Sequence, residues 1–317
     1  MILVVFLYLL FASTFTLGKA ALAYVSPFLF IGIRMLLGGS LLLVYYWFFT
    51  QQKKSIKADD YLSFLHIIIF HIFCAYTFEF WALKYVTSSK ACLLYNLSPF
   101  ITALFYYFLC NEKITLRQVY GLIIGFLGFI PILIAQSSLE KIGLHIGFLS
   151  IYEVALIASV TSSAYGWLIV KNLINRQYPL ILINGISMLG GGFLALIFSF
   201  ISEGIPHIHE VPVTIPQLVD LFGLKGERLI MLSGYCGLLV IIANIIGYNL
   251  YGYLLSRYSP TFLSFAGFMT PLFAALLGWI FLNEHVTWHF FITMIMVIIG
   301  LYLFHDKKEI EFEEKGL

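Results

Sequence analysis

Charge is what this sequence has least of. Only 11% of its 317 residues are Asp, Glu, Lys or Arg, against roughly 25% in a soluble globular domain, and that deficit excludes a water-soluble fold. The net charge is +2, with the basic residues scattered over many short polar breaks, so there is no patch for a polyanion and no nucleic acid partner. Cysteine is scarce as well. Cys74, Cys92, Cys110 and Cys236 all lie inside apolar runs, with neither CxxC spacing nor a paired framework, and read as small buried hydrophobes. Motifs for catalysis are missing. "HEVPV" at 209–213 ends in valine where a zinc-protease HExxH needs its second histidine, and "LGKA" at 17–20 lacks the glycine spacing of a phosphate-binding loop. His207 with His209 and His285 with His289 have ligand-like spacing but no further ligands beside them, so no metal, no cofactor and no enzyme is expected.

What the chain has is apolar sequence, 61% of all residues, divided into runs of about the 20 residues that a helix needs to cross a bilayer. The runs fall at 2–19, 27–49, 62–83, 89–110, 116–136, 147–171, 179–202, 229–255, 261–282 and 288–304. No alternating barrel pattern is visible, so all are expected to be helices in a lipid bilayer. The N-terminal run has no basic residue before it and reads as a retained first span. The longest break, 203–228, holds three prolines. The tail 305–317 is polar and reads as a soluble cytoplasmic segment.

The two halves resemble each other. A shift of 172 positions places Pro99 on Pro271, Asn111 and Glu112 on Asn283 and Glu284, Thr115 on Thr287 and Gly128 on Gly300. A shift of 152 to 153 brings Lys19 to Lys171, Pro27 to Pro179, and "MLLGG" at 35–39 near "MLGGG" at 188–192. Five spans per copy is an odd number, so the second copy enters the membrane from the opposite face. The expected fold is therefore an all-α membrane protein of ten transmembrane helices in two inverted five-helix repeats, 1–136 and 147–304, an architecture typical of secondary transporters. Eleven Lys and Arg fall on the side of the N-terminus and six on the other, which puts both termini in the cytoplasm. Lys19 dissents, because it follows the first span with nothing basic before it.

The stretch "FWALKYVTSSKACLLYNLSPF" at 80–100, with the Asn-Glu pair at 111–112, resembles the EamA-type branch of the drug/metabolite transporter superfamily, and so do "STFTLGKAALAYVSPFLFIGIRMLLGG" at 13–39 and "FLSFAGFMTPLFAALLGWIFLNEHVT" at 262–287. The resemblance spans about residues 5–304. It implies a ten-helix carrier of a small nitrogen-containing metabolite (an amino acid, a nucleoside-like compound or S-adenosylmethionine) in a cell membrane, a bacterial inner membrane by this family. Such a carrier works by alternating access, with a coupling proton or a counter-substrate as driving partner. A receptor or a structural membrane protein is the alternative class. Substrate identity, direction and oligomeric state are not encoded in any motif. Two departures stand out: Glu79, where the family mostly has an apolar or aromatic residue, and the long 203–228 break.

An ionisable side chain within a span costs about 2.5–3.5 kcal/mol on insertion scales and so needs a partner or a role. Arg34, Glu79 and Glu153 are embedded at similar depths, in the outer third. Arg34 is expected in a structural ion pair with Glu79 or Glu153; Glu153 is assigned to it here and Glu79 to substrate. Near the midplane Pro99 and Pro271 should break their helices and free carbonyls. Asn96 and Tyr95 precede Pro99, while Asn244, Tyr248, Asn249 and Tyr251 share the eighth span, Tyr165 and Trp167 the sixth, and Ser13 and Thr14 the first. With Tyr76 and Trp81 beside Glu79, these rings and amides make a candidate site for a cation attached to a planar heterocycle. His71, mid-span, is a candidate proton relay. Asn283 and Glu284, like Asn111 and Glu112, read as helix-turn residues rather than substrate ligands.

Overall fold

The computed structural model describes residues 2–50, 53–110, 115–134, 144–146, 149–202, 226–255, 263 and 266–304. Asn111, Glu112, the "HIH" at 207–209 and the tail 305–317 lie outside the described residues. Within them the chain is an all-α membrane fold. Helix α1 spans Ile2–Ala21 and α2 Pro27–Phe49. The third span is composite: α3 at Tyr61–His66, a π-helical stretch at Ile67–Cys74, and α4 at Ala75–Leu83. Next come α5 (Ser88–Tyr95), α6 (Ser98–Cys110), α7 (Leu116–Gly128) and α8 (Ile130–Ile134). A two-residue antiparallel pair, β1 (His145–Ile146) and β2 (Leu149–Ser150), leads into α9 (Ile151–Asn175) and α10 (Leu180–Ser202). The second composite span has α11 at Gly226–Leu239, a π-helical stretch at Val240–Gly247 and α12 at Tyr248–Leu255. Helices α13 (Met269–Leu282) and α14 (Trp288–Phe304) complete the chain. Seven of the described helical stretches are long and apolar enough to cross a membrane, and α13 and α14 are shorter apolar helices.

Breaks fall where the local chemistry demands them. Proline lacks an N–H and clashes with the carbonyl four residues back. Accordingly α5 stops at Tyr95 and α6 restarts at Ser98 with Pro99 in its first turn, and Pro271 likewise occupies the first turn of α13. Helix α13 ends at Asn283, which adopts a left-handed conformation at φ 52°; asparagine tolerates that region better than other non-glycine residues. The sixth span begins at Ile151 rather than 147 because Ser150 and Glu153 form a capping box. The Ser150 N–H donates to Glu153 Oε2 at 2.7 Å and the Glu153 N–H to Ser150 Oγ at 3.4 Å.

The helices pack in a pattern that maps onto itself when the halves are exchanged. Helix α2 packs along α10, and α7 along α14. The composite third span packs on α9 as the composite eighth packs on α1, and α5 and α6 meet α9 as α13 meets α1. Glycine makes the first of these contacts close: a Cβ on Gly39 would lie 2.7 Å from the Leu189 backbone nitrogen and 2.9 Å from the Gly185 carbonyl. A Cβ on Gly300 would lie 2.6 Å from the Gly125 Cα at the α7–α14 crossing. In lipid, where apolar burial gives helices little reason to associate, such backbone approach is what holds them. Large apolar side chains stay exposed on the outward faces, among them Leu41, Val44 and Phe48 on α2 and Phe193, Ile197 and Ile201 on α10. That surface suits acyl chains rather than water.

Candidate functional site

Spans 1, 3, 4, 6, 8 and 9 surround a cavity of about 220 Å³. Its wall is aromatic and lightly polar. Tyr8, Phe11, Thr14 and Phe15 come from α1, Tyr76 and Glu79 from α4, Cys92 and Tyr95 from α5, Asn96, Ser98 and Pro99 from the break after it, Ser163 and Trp167 from α9, and Tyr248 and Tyr251 from α12. Leu263, Gly267 and Thr270 close the wall around the start of α13.

Glu79 is the carboxylate of this wall among the described residues, and it is only 7% exposed. The Tyr95 hydroxyl donates to its Oε2 at 2.6 Å and stands 2.7 Å from Ser159 Oγ, which in turn donates to the Ala75 carbonyl at 2.6 Å. Opposite, the Tyr76 and Tyr248 hydroxyls meet at 2.5 Å and bridge α4 to α12. Trp167 stacks on Tyr248 with centroids 5.6 Å apart and an interplanar angle of 27°. An aromatic wall with one carboxylate suits a ligand that has both a flat ring and a positive charge.

Six of the ten residues expected to touch substrate are thus brought together: Glu79, Tyr76, Tyr95, Asn96, Trp167 and Tyr248. Four are not. Trp81 packs on Tyr85 and Tyr152, and the Tyr165 hydroxyl pairs with His66 Nδ1 at 3.1 Å. Asn244 is fully buried among helices, its Nδ2 directed at the sulfurs of Met35 (3.3 Å) and Met188 (3.5 Å), so it joins the eighth span to α2 and α10. Asn249 donates to the Ile245 carbonyl of its own helix at 2.7 Å.

The pairing of Arg34 with Glu153 is also corrected. Glu153 sits in the first turn of α9 and pairs with Lys90 on α5 at 2.5 Å. The Arg34 guanidinium, 1% exposed, lies over the rings of Tyr76 and Phe80, 4.9 Å from each centroid. Cation–π attraction of this kind offsets desolvation of the charge. His71 is sealed behind the cavity, 4.7 Å from the Trp167 ring and 5.7 Å from that of Tyr248.

Sequence reasoning missed a polar cluster of Lys19, Ser88 and Glu284 at the ends of helices that line the cavity. The Glu284 carboxylate ion-pairs with Lys19 at 2.8 Å and accepts the Ser88 N–H at 2.9 and 3.0 Å and the Ser88 hydroxyl at 2.6 Å. A helix-turn glutamate therefore caps the N-terminus of a different helix, α5, where an anion is favoured. With Lys90–Glu153 beside it, this cluster joins the halves across one end of the bundle. At the other end Arg176 pairs with Asp60, which also accepts from the Tyr178 hydroxyl at 2.6 Å, and Lys54 donates to the Arg176 carbonyl. Ser159 and Ser163 were also passed over. Their signal was a pair of small hydroxyls four apart in an apolar helix, on the face that carries Trp167.

Residues 1–134 and 150–305 match the EamA-like transporter family. The chain belongs to that family. It is 30% identical over 277 residues to the S-adenosylmethionine/S-adenosylhomocysteine transporter of Chlamydia trachomatis serovar L2, covering 87% of this chain and 79% of that protein. The transporter of the same description from Chlamydia muridarum is 29% identical over 279 residues, 87% of this chain and 81% of the other. The uncharacterized transporter YvbV of Bacillus subtilis is 24% identical over 97% of this chain and 92% of its own length. A crystal structure of another protein superposes with a TM-score of 0.61 over 95% of both chains at 17% identity, a likeness of fold. This EamA-like protein is accordingly a multi-pass membrane transporter.

Proposed function

We propose that this EamA-like transporter carries S-adenosylmethionine and S-adenosylhomocysteine across a bacterial inner membrane by alternating access and performs no chemistry on them. The observation that carries the reading is the buried Glu79 in a wall built from Tyr8, Tyr76, Tyr95, Trp167 and Tyr248. S-adenosylmethionine presents a purine for the rings and a sulfonium and an ammonium for the carboxylate. The chlamydial relatives point to the same ligand pair.

The self-mapping helix contacts and the matched π-helical stretches support two inverted five-span repeats, 1–136 and 147–304, and the excess of Lys and Arg on the N-terminal side supports cytoplasmic termini. Rocking of these units would expose the cavity alternately. A volume of about 220 Å³ is below the roughly 300–1,000 Å³ of sites for drug-sized ligands, so a complete adenosyl amino acid needs the halves to part.

Binding is the first test. Purified carrier should be stabilised against heat by S-adenosylmethionine and S-adenosylhomocysteine and far less by methionine or adenosine alone. No stabilisation by either adenosyl ligand, or equal stabilisation by all four compounds, would sink the substrate assignment.

A further inference from the structure

The oxygens of Glu79, Tyr95, Ser159 and the Ala75 carbonyl form a chain of three contacts, at 2.6, 2.7 and 2.6 Å, running from the cavity wall into the α4–α9 interface. Each contact needs one hydrogen. Tyr95 and Ser159 supply one each, and the carbonyl supplies none. If Glu79 is a carboxylate, Tyr95 donates to it and Ser159 donates to Ala75. The 2.7 Å contact between Tyr95 and Ser159 is then left with two oxygens and no proton between them, at a serine that is fully buried. One proton on Glu79 removes the conflict: the carboxyl donates to Tyr95, Tyr95 to Ser159, and Ser159 to the carbonyl. The described chain geometry has room for that proton and a use for it.

We infer that Glu79 holds an exchangeable proton in the ligand-free carrier and that the cationic ligand displaces it, so one proton leaves the site for each cation that enters. The inference rests on the proposed assignment of Glu79 to the ligand's positive charge. Written out, ligand cation plus Glu79 carboxyl gives ligand cation bound to Glu79 carboxylate plus a proton, which passes to the water on the side of entry. No bond other than the O–H changes and no further reactant is needed.

The surrounding groups favour exchange over simple binding. Arg34 on α2 is a buried cation held by the faces of Tyr76 and Phe80. Tyr76 on α4, Cys92 and Tyr95 on α5, Tyr248 and Tyr251 on α12 and Tyr8 on α1 are the other titratable groups of the cavity wall among the described residues, none of them cationic. With Glu79 protonated, the site carries the one positive charge of Arg34. With the ligand bound to ionised Glu79, Arg34 and one net positive ligand against one carboxylate again leave a single positive charge. Loaded and empty carriers then carry the same net charge, so neither form adds a further charge to the cost of reorienting in lipid. S-adenosylmethionine has a net charge of +1 and S-adenosylhomocysteine of zero at neutral pH. Inward movement of the first against outward movement of the second with a proton therefore transfers no net charge.

Two measurements decide it. Calorimetric titration of purified carrier with S-adenosylmethionine in buffers of differing ionisation enthalpy should show about one proton released per ligand, with affinity rising about tenfold per pH unit while Glu79 is protonated. In Glu79→Gln, whose amide can donate to Tyr95 as the carboxyl does, release should fall to zero and the pH dependence should flatten to less than twofold. Glu79→Asp should keep the release. Binding without proton release in the wild type overturns the inference and leaves the substrate assignment standing. Failure of S-adenosylmethionine to bind overturns that assignment, and the proton is then decided by infrared spectroscopy of the ligand-free protein. A carboxylic-acid carbonyl stretch lost in Glu79→Gln supports it, and a wild type without that band refutes it.

Discussion

Lys19 at the end of α1 and Glu284 just beyond α13 stand 2.8 Å apart and tie the first half of the chain to the second. Glu284 also holds the start of α5 through Ser88, so one carboxylate fixes three helices that line the cavity. A site served alternately from both sides needs this junction to open, and its strength should set how readily it does. Lys19 is 24% exposed at its side chain, so water screens the pair, and its loss should cost less than the roughly 3–5 kcal/mol of breaking a fully buried pair.

Lys19→Met should therefore loosen this end without unfolding the protein. The native reporter is Cys92, which lines the cavity and is buried. Its modification by a membrane-impermeant maleimide from the Lys19 side should speed up about tenfold, equivalent to about 1.4 kcal/mol. An unchanged rate would mean that the pair is not a closure.

Glu153 should behave as a structural residue. Glu153→Ala removes the glutamate half of the α9 capping box, leaving Ser150 as N-cap, and the partner of Lys90 in a buried ion pair, so the melting temperature should fall by several degrees, mostly through the pair, whose breaking costs about 3–5 kcal/mol when buried. Glu153→Gln can keep the box and should fall less. Ligand affinity, read by calorimetry, should change less than twofold in the stable variant; a selective loss of affinity would place Glu153 in the site after all.

Trp167 should serve the heterocycle. Stacking of a base on an aromatic ring is worth about 1–3 kcal/mol, so Trp167→Ala should weaken adenosyl ligands roughly five- to hundredfold while Trp167→Phe recovers most of the affinity. Equal weakening by both substitutions would argue against stacking.

Much of this was legible in the sequence, and the misreadings have geometric causes. Apolar run lengths located the spans, and Pro99 and Pro271 marked the helix restarts because a ring without an N–H fits only a first turn. Trp81 and Tyr165 were grouped with Glu79 and Trp167, yet residues two apart on a helix point to opposite sides, so each pair could place only one member in the cavity. Asn244 and Tyr248 are four apart, yet Asn244, in the π-helical stretch Val240–Gly247, meets Met35 and Met188, while Tyr248, at the start of α12, lines the cavity. The partners of Glu153 and Glu284 depend on which helix ends adjoin, which local sequence does not encode. Depth alone made Arg34 and Glu153 look compatible, whereas the capping box holds Glu153 at the rim beside Lys90.

Counterflow tests the central claim most directly. Proteoliposomes loaded with unlabelled S-adenosylhomocysteine and placed in a trace of labelled S-adenosylmethionine should accumulate label transiently, well above vesicles loaded with buffer or methionine, and Glu79→Ala should abolish the overshoot. No overshoot with either adenosyl ligand inside, from protein shown to be folded and inserted, would contradict the account.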